Sequence, residues 1–431
     1  DDGVPLVLAH IDQHSVAQDA GIQHDGIELA EGRDGLVDHA LGAVPVGDVV
    51  AIGHRVAALG LDLVHDLLGR PEIRIDMNVV ASMIRGKTVL VTGGGGSIGA
   101  EICRQVARLE PSQLVVLDSS EFNLYAIDAE LGERYPNVMR QTALADIREA
   151  SMVSHWIGRA KPEIVFHAAA LKHVPLIEEH PIEGIKTNVF GTINVAEACR
   201  AHQVPAMVMI STDKAVNPAN AMGATKRLAE AYCQGLDMAR DAVARTRFMM
   251  VRFGNVLGSN GSVVPLFQRQ IEAGGPITVT HPDITRYFMT IPEAVTLVMM
   301  AGAQGMAARD DRGNIYLLDM GKPVKIIDLA REMIRLSGHR PDIDIKVEIV
   351  GLRPGEKLFE ELSYSEESVQ PTASGSIFKL APRATDLRII RQQVQELHHA
   401  CANGDAERAL RLLRVSVPDY ISPPEAAALK S

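Results

Sequence analysis

Residues Lys87 to Gly99, KTVLVTGGGGSIG, read as a short apolar strand (Thr88 to Val91) running into a glycine-rich turn, with Ile98 and Gly99 opening a helix that continues through Ile102, Val106 and Leu109. Gly93, Gly96 and Gly99 let the backbone turn sharply, approach a pyrophosphate closely and seat the helix against the strand. The helix N-terminus, Ser97 and Ile98 included, adds N–H donors and positive potential. A lone GxxGxxG is a weak signal. Here a strand precedes it, a helix follows, and Asp118 closes a second strand, Leu114 to Leu117, about 20 residues on. An acid there can hold the adenosine ribose hydroxyls. The competing reading is a turn of purely structural use.

The chain has 431 residues, 46% of them hydrophobic, enough for two or three domains and a large core. No apolar run approaches the ~20 residues of a membrane span and no signal peptide is apparent, so a soluble, cytoplasmic protein without a membrane segment is expected. The chain starts at Asp1 and not at Met, which allows for a longer parent. Cys103, Cys199, Cys233 and Cys401 lack metal-like spacing and read as reduced core fillers; no metal site is expected. A net charge of -11 argues against nucleic acid as a partner.

Residues 1–63 stand apart. They contain no Lys and no aromatic residue yet hold His10, His14, His24, His39 and His54, and they read as an unassigned N-terminal appendage. Residues 64–86 read as a linker with a short helix. From Lys87 the pattern alternates as in a doubly wound sheet, with strands at 88–92, 113–118, 138–144, 163–168, 206–211 and 246–252 and helices at 98–109, 122–134, 149–159, 183–202 and 222–240. The expected fold is α/β, a doubly wound parallel sheet of Rossmann type with a smaller α/β substrate-binding domain. Right-handed crossovers put every strand's C-terminal end on one edge, so the loops there carry the chemistry.

After the third strand, Asp146-Ile147 supplies an acid placed to accept from an adenine amino group, or a plain surface aspartate. After the fourth comes HAAALKHVP, His167 to Pro175. Small Ala168 and Ala169 let the chain pass close under a cofactor. Lys172 and His173 can reach substrate or ribose, or can be solvated loop residues. Asn188 sits among apolar neighbours and reads equally as a structural or a functional amide. The fifth strand ends in STDKAVNPANAMGATKR, Ser211 to Arg227, the densest chemical stretch. Met222 and Lys226 are four apart on one helical face. In short-chain dehydrogenase-type folds that face points at the nicotinamide ribose, normally with Tyr in place of Met222.

Seven ordered blocks, TGGGGSIG, LDSSEFNLYAID, FHAAALKHVP, STDKAVNPANAMGATKR, VRFGNVLGSNGSVVPLF, ITRYFMTIPEA and GLRPGEKLFEEL, closely resemble the polysaccharide-biosynthesis (CapD-like) nucleotide-sugar 4,6-dehydratases, extended short-chain dehydrogenase/reductases acting on UDP-N-acetylglucosamine. The resemblance runs from about Asp66 to about Tyr420. It implies oxidation at C4 of the sugar, loss of the C5 proton and the C6 hydroxyl as water, and hydride return to C6. By the same resemblance Asp213 is the acid, Lys214 the base, and Thr212 a nearby hydroxyl. Met222 takes the place of the usual Tyr base, as in one branch of the family. A UDP-sugar 4-epimerase is the alternative within the fold, and a non-catalytic nucleotide-binding scaffold the alternative outside it.

Two physical demands follow. Adjacent strand residues point to opposite faces, so Asp213 and Lys214 share a site only if the backbone leaves strand geometry, an exit that Asn217-Pro218 supports. An acid at neutral pH needs a raised pKa and a lysine base a lowered one, whereas a close pair favours both charges.

Beyond residue 252, Asn255 can bond sugar or phosphate, and the turn Gly258 to Ser262 offers N–H groups to a diphosphate. Arg286 and Arg353 suit a diphosphate or a uridine carbonyl, or structural ion pairs, Arg353 with Glu356 for example. Phe267 reads as core, and Tyr287 and Glu293 as packing and capping. The expected domains are 87–252 for NAD binding, 253–380 for substrate with some chain exchange, and 381–431 for a helical pair and tail that pack on the body or on a second subunit of a homo-oligomer. Asp118 without an adjacent Arg favours NAD over NADP.

Overall fold

The computed structural model describes residues 76–239, 246–308, 310–381 and 386–422. The appendage 1–63 and residues 64–75 of the linker lie outside the described residues. The linker's end forms α1 (Met77–Ile84), capped by Asp76, whose carboxylate accepts from the Asn78 amide at 3.0 Å.

The first six strands, β1 (Thr88–Thr92), β2 (Gln113–Asp118), β3 (Arg140–Leu144), β4 (Ile164–His167), β5 (Ala206–Ile210) and β6 (Arg247–Arg252), pair in parallel in the order 3-2-1-4-5-6. Val89, Leu90 and Val91 are all fully buried. That is why such strands read as unbroken apolar runs: helices cover both faces. Between the strands lie α2 (Ser97–Arg108), α3 (Glu121–Arg134), α4 (Ala150–Ala160), the short α5 (Val174–Glu179) and α6 (Pro181–Ile185), α7 (Thr192–Ala201) and α8 (Ala221–Met238). The expected single helix over 183–202 is interrupted by a π-helical turn, Lys186–Gly191. The wider turn brings the fully buried Asn188 to Leu171, accepting from its amide at 2.8 Å and donating to its carbonyl at 2.9 Å.

After Arg252 the chain divides its residues between two bodies. The smaller contains β7 (Asn255–Val256), α9 (Val263–Glu272), β8 (Ile277–Val279), β9 (Thr285–Arg286) and β10 (Phe288–Met289). The chain then returns to the large sheet as α10 (Ile291–Ala307) and β11 (Ile315–Leu318), the latter parallel to β6. It crosses back as β12 (Val324–Lys325), α11 (Ile326–Leu336) and β13 (Val347–Ile349). It ends at the sheet edge with β14 (Val369–Pro371) and β15 (Ile377–Leu380), both antiparallel, giving nine strands. Segments 291–320 and 369–380 thus belong to the sheet although they follow residue 252. Two-residue ladders, β7 with β10 and β9 with β12, link the strands of the smaller body, whose core holds Phe267, Ile277, Phe288, Leu329 and Ile334.

Helices α12 (Leu387–Ala402) and α13 (Ala406–Ser416) bury Leu397, Ala400, Ala409 and Leu413 in the same core as Leu228 and Tyr232 of α8. All four cysteines are buried and unpaired. No helix among the described residues is long and apolar enough to cross a membrane, and no group of three or more His, Cys, Asp or Glu among them is placed to hold a metal.

Candidate active site

The glycine-rich turn is shaped by close approach. Gly93 has φ +66, and a Cβ there would lie 2.6 Å from the Ala169 backbone; a Cβ on Gly99 would lie 2.0 Å from the Gly93 carbonyl oxygen. Only glycine lets the turn, the Ala168-Ala169 backbone and the start of α2 meet. Gly96 caps α2 without a side-chain hydrogen bond, so the first-turn N–H groups at Ser97 and Ile98 face outward for an anion. Asp118 accepts from the amides of Gly95 and Ser120, both at 2.9 Å, which fixes its carboxylate beside the turn. These are the features a dinucleotide needs at its diphosphate and ribose.

Around that cradle the predicted residues fall in different states. Asp146 is paired with Arg148, whose Nε donates to it at 2.8 Å; its pKa lies below the ordinary aspartate value because Arg148 outweighs the opposing effect of burial. Ile147 is buried and packs where a Cβ on Gly191 would touch it at 2.6 Å. Lys172 and His173 are exposed on the rim, with pKa values pulled below the ordinary ones, by desolvation first and for His173 by Lys172 second. The turn at 258–262 reaches across to this rim. The Asn260 amide donates to Ser97 Oγ at 3.2 Å, and Gly261, at φ +70, lies so close that a Cβ would meet the His173 ring at 2.5 Å. Ser262 Oγ is buried without a hydrogen-bond partner.

Strand β5 stops at Ile210, and Asp213–Ala215 form a 3₁₀ turn capped by Thr212. Asn217, at φ +40, completes the departure from strand geometry. The backbone exit required for Asp213 and Lys214 to act together is therefore present. Lys214 Nζ donates to Asp213 Oδ1 at 3.0 Å and to Asn255 Oδ1 at 3.2 Å, while Thr212 Oγ1 donates to the same Asp213 oxygen at 2.8 Å. Asp213 is fully buried, and its Oδ2 has no hydrogen-bond partner.

The lowered pKa that a lysine base requires is not what this structure holds. Burial pulls Lys214 down, but Asp213 and then Glu360 outweigh it against Arg286, and its pKa stands above the ordinary lysine value. Lys226 behaves oppositely. Burial brings it down to about 8 against the pull of Glu230, and its Nζ donates to the Ile210 carbonyl at 2.7 Å. Met222, 3% exposed, opens the same helix one turn earlier. A Cβ on Gly223 would lie 2.1 Å from the Lys214 carbonyl oxygen, so α8 packs directly on the 213–215 turn.

Buried His167 is bracketed by Thr92 Oγ1 at 2.7 Å from Nδ1 and Thr192 Oγ1 at 2.9 Å from Nε2. Thr192 spends its own proton on the Asn188 carbonyl at 2.7 Å, so Nε2 carries the ring proton and Nδ1 accepts. Burial, with Lys226 second, lowers this pKa to about 3 and keeps the ring neutral.

Arg286 is 7% exposed and donates to the Thr285 carbonyl at 2.7 Å, with Glu356 at 3.6 Å and Glu360 at 3.8 Å. Arg353 is exposed; its backbone amide, not its guanidinium, bonds Glu356, at 3.1 Å. Among the described residues its guanidinium forms no ion pair. The structure thus gathers Thr212, Asp213, Lys214 and Asn255 through direct contacts, brings Arg286 to them only through Glu360, and leaves Arg353 outside that contact network.

Sequence reasoning missed the residues that hold this turn. Tyr364 Oη donates to the Ala215 carbonyl at 3.0 Å, Lys357 Nζ to the Val216 carbonyl at 3.1 Å, and Asn220 Nδ2 to the Gly355 carbonyl at 2.9 Å. Behind them the fully buried Arg252 joins Glu230 at 2.8 Å and Glu367 at 3.0 Å, and Ser211 Oγ donates to Glu230 at 2.6 Å. The one available signal was the density of charge in GEKLFEEL.

Comparison with known proteins agrees with this geometry. The profile of the family described as "Polysaccharide biosynthesis protein" matches residues 89–382. The capsular polysaccharide biosynthesis protein CapD of Staphylococcus aureus is 52% identical over 305 residues, 70% of this chain and 49% of that relative. EpsC of Bacillus subtilis (strain 168), named as a probable polysaccharide biosynthesis protein, is 48% identical over 326 residues, 75% of this chain and 53% of that relative. The chain thus spans about half the length of these two curated relatives. The X-ray structure of Pen from Bacillus thuringiensis superposes with a TM-score of 0.61 at 33% identity, over 70% of this chain and 89% of that one. With its glycine-rich cradle, its nine-stranded sheet and relatives of this closeness, the chain belongs to the polysaccharide biosynthesis protein family.

Proposed function

We propose that the protein dehydrates UDP-N-acetylglucosamine to the 4-keto-6-deoxy sugar, with NAD as resident cofactor, for surface-polysaccharide or glycan synthesis. The observation that carries this reading is the 3₁₀ turn at Asp213–Ala215, which presents a carboxylate, an amine and the Thr212 hydroxyl together beside Lys226. The cradle of Gly93, Gly95 and Gly99 fits a dinucleotide, and the Asp118 carboxylate disfavours a 2′-phosphate. Bound NAD supplies the hydride acceptor for C4 and the donor for C6.

The residues of the chain move the protons. Thr212 Oγ1 already donates to Asp213, so taking the C4 hydroxyl proton on Thr212 passes its own proton to Asp213. Asp213 then has a proton to give as the C6 hydroxyl leaves as water. Lys214, whose resting ammonium must first give up one proton to solvent, then takes the C5 proton as the free amine and returns it when C6 is reduced. Buried Met222 fills the place of a base without offering one. Arg286 and the exposed Arg353 would meet the diphosphate. Nucleotide sugars and NAD are cytoplasmic metabolites, which places the proposed reaction there; a homo-oligomer is part of the same proposal.

Incubation with UDP-N-acetylglucosamine in deuterated water, followed by mass spectrometry and proton NMR, tests the reading. Water loss with deuterium at C5 is the expected result. An isomer of unchanged mass would instead identify an epimerase, and untouched substrate despite tight NAD and UDP binding would point to a scaffold or another sugar.

A further inference from the structure

The cluster around Lys214 contains a carboxylate for which the reaction above has no use. Glu360 is 8% exposed; its Oε1 lies 3.5 Å from Lys214 Nζ and 3.8 Å from Arg286 Nε, and its Oε2 is buried with no hydrogen-bond partner. Lys214 Nζ therefore faces three oxygens, those of Asp213 at 3.0 Å, Asn255 at 3.2 Å and Glu360 at 3.5 Å. An ammonium has three protons, so each direction is taken by an acceptor. A buried carboxylate with one oxygen unsatisfied is costly to keep. It lies in the part of the chain that also holds the catalytic turn.

We propose that Glu360 is a positioning residue for Lys214: its carboxylate fixes the direction of the amine and stabilises the ammonium that forms when Lys214 takes the C5 proton. The inference rests on the dehydratase reading and extends it. In that sequence of steps Asp213 already carries the C4 proton when Lys214 acts, so its negative charge is cancelled at that moment. Glu360 is then the carboxylate left in contact with the new ammonium. The other charged neighbour, Arg286, opposes the ammonium, and Glu356, 3.6 Å from Arg286, offsets part of that opposition. Asn255, from β7, is neutral and orients the amine without setting its charge. Burial acts on Lys214 in the direction of deprotonation, and the carboxylates of Asp213 and Glu360 reverse it.

The test is the pH profile of kcat for water release by Glu360→Gln, which keeps shape and an acceptor oxygen while removing the charge. The limb on which the Lys214 cluster loses its proton is expected to move about one unit to lower pH, since an opposing charge has gone. The plateau above it should fall severalfold because the amine is a weaker base. Glu360→Asp should return the limb toward its original position. NAD and UDP binding close to wild type, measured by calorimetry, shows that the variants are folded, and Glu360→Asp keeps the test available if the glutamine variant is not. A limb and plateau coincident with wild type overturn the proposal. If the wild-type protein releases no water from the sugar, the dehydratase reading fails on its own terms. The coupling is then read from ¹³C-lysine NMR, with the Lys214 signal identified by its loss in Lys214→Arg. Titration of that signal at lower pH in Glu360→Gln supports the Glu360–Lys214 link, and coincident titration curves overturn it.

Discussion

The phenol of Tyr364 donates to the main-chain carbonyl of Ala215 at 3.0 Å, which ties the third residue of the 213–215 turn to the segment between β13 and β14. The ring also lies against the guanidinium groups of Arg227 and Arg252, at 5.9 and 5.7 Å. Tyr364→Phe keeps the ring and removes the donor. It should cost about 1–2 kcal/mol in denaturant unfolding and lower kcat about tenfold through a loosened turn. NAD affinity should not change, because the cradle is elsewhere. A variant with wild-type kcat would show that the turn holds its own shape.

Gly99→Ala tests the cradle. The new methyl would sit 2.0 Å from the Gly93 carbonyl oxygen, a backbone atom that cannot swing aside. Stability should fall by about 2–3 kcal/mol, and NAD binding should be lost by fluorescence titration even where the protein remains folded.

Lys226→Met should stabilise the protein while abolishing turnover. The folded pKa of about 8 lies below the ordinary lysine value of 10.5, so between these values the unfolded chain binds more protons and wild-type stability rises with pH. Below about pH 8 the wild type bears the full cost of a charged, buried amine. The variant escapes that cost, by about 1–3 kcal/mol at pH 7 after losing the bond to the Ile210 carbonyl. Its advantage should shrink steadily as the pH is raised toward 10. Chemical denaturation at pH 7, 9 and 10 measures this; an advantage independent of pH would rule out the buried charge as its source.

Lys214→Ala should leave NAD and UDP binding near wild type and abolish water elimination. Product analysis by mass spectrometry decides the point: unchanged release of water would remove Lys214 from the mechanism.

The parallel sheet was legible because its strands are continuous apolar runs followed by small or polar loops. The cradle was legible because only glycine tolerates the approach of Gly93 to Ala169. The break at Lys186–Gly191 was not, since a reading based on 3.6-residue periodicity has no place for a π turn and joins Ile185 to Thr192 as one helix. The late strands escaped for a different reason: two residues such as Asn255-Val256 contain no alternation to detect, and β15 earns its place by pairing antiparallel with β11, far away in sequence. Among the site residues, Asp213, Lys214 and Lys226 announced themselves by being polar at the end of apolar elements. Glu360 and Tyr364 gave no such sign, because nothing in KLFEELSYSEE states that its acid faces a lysine at a strand end or that its tyrosine reaches a carbonyl of the same turn.

The clamp that Gly355, Lys357 and Tyr364 place on the turn after β5 also sets an order of events during synthesis. The ribosome delivers the dinucleotide cradle and all six of its parallel strands before it delivers these three residues. A nascent chain that has reached β11 holds every residue of the cradle, yet its 213–215 turn still lacks the bonds that hold it. The turn after β5 is thus fastened by residues made some 140 positions after it, so its final shape waits on a segment that the cradle itself does not need.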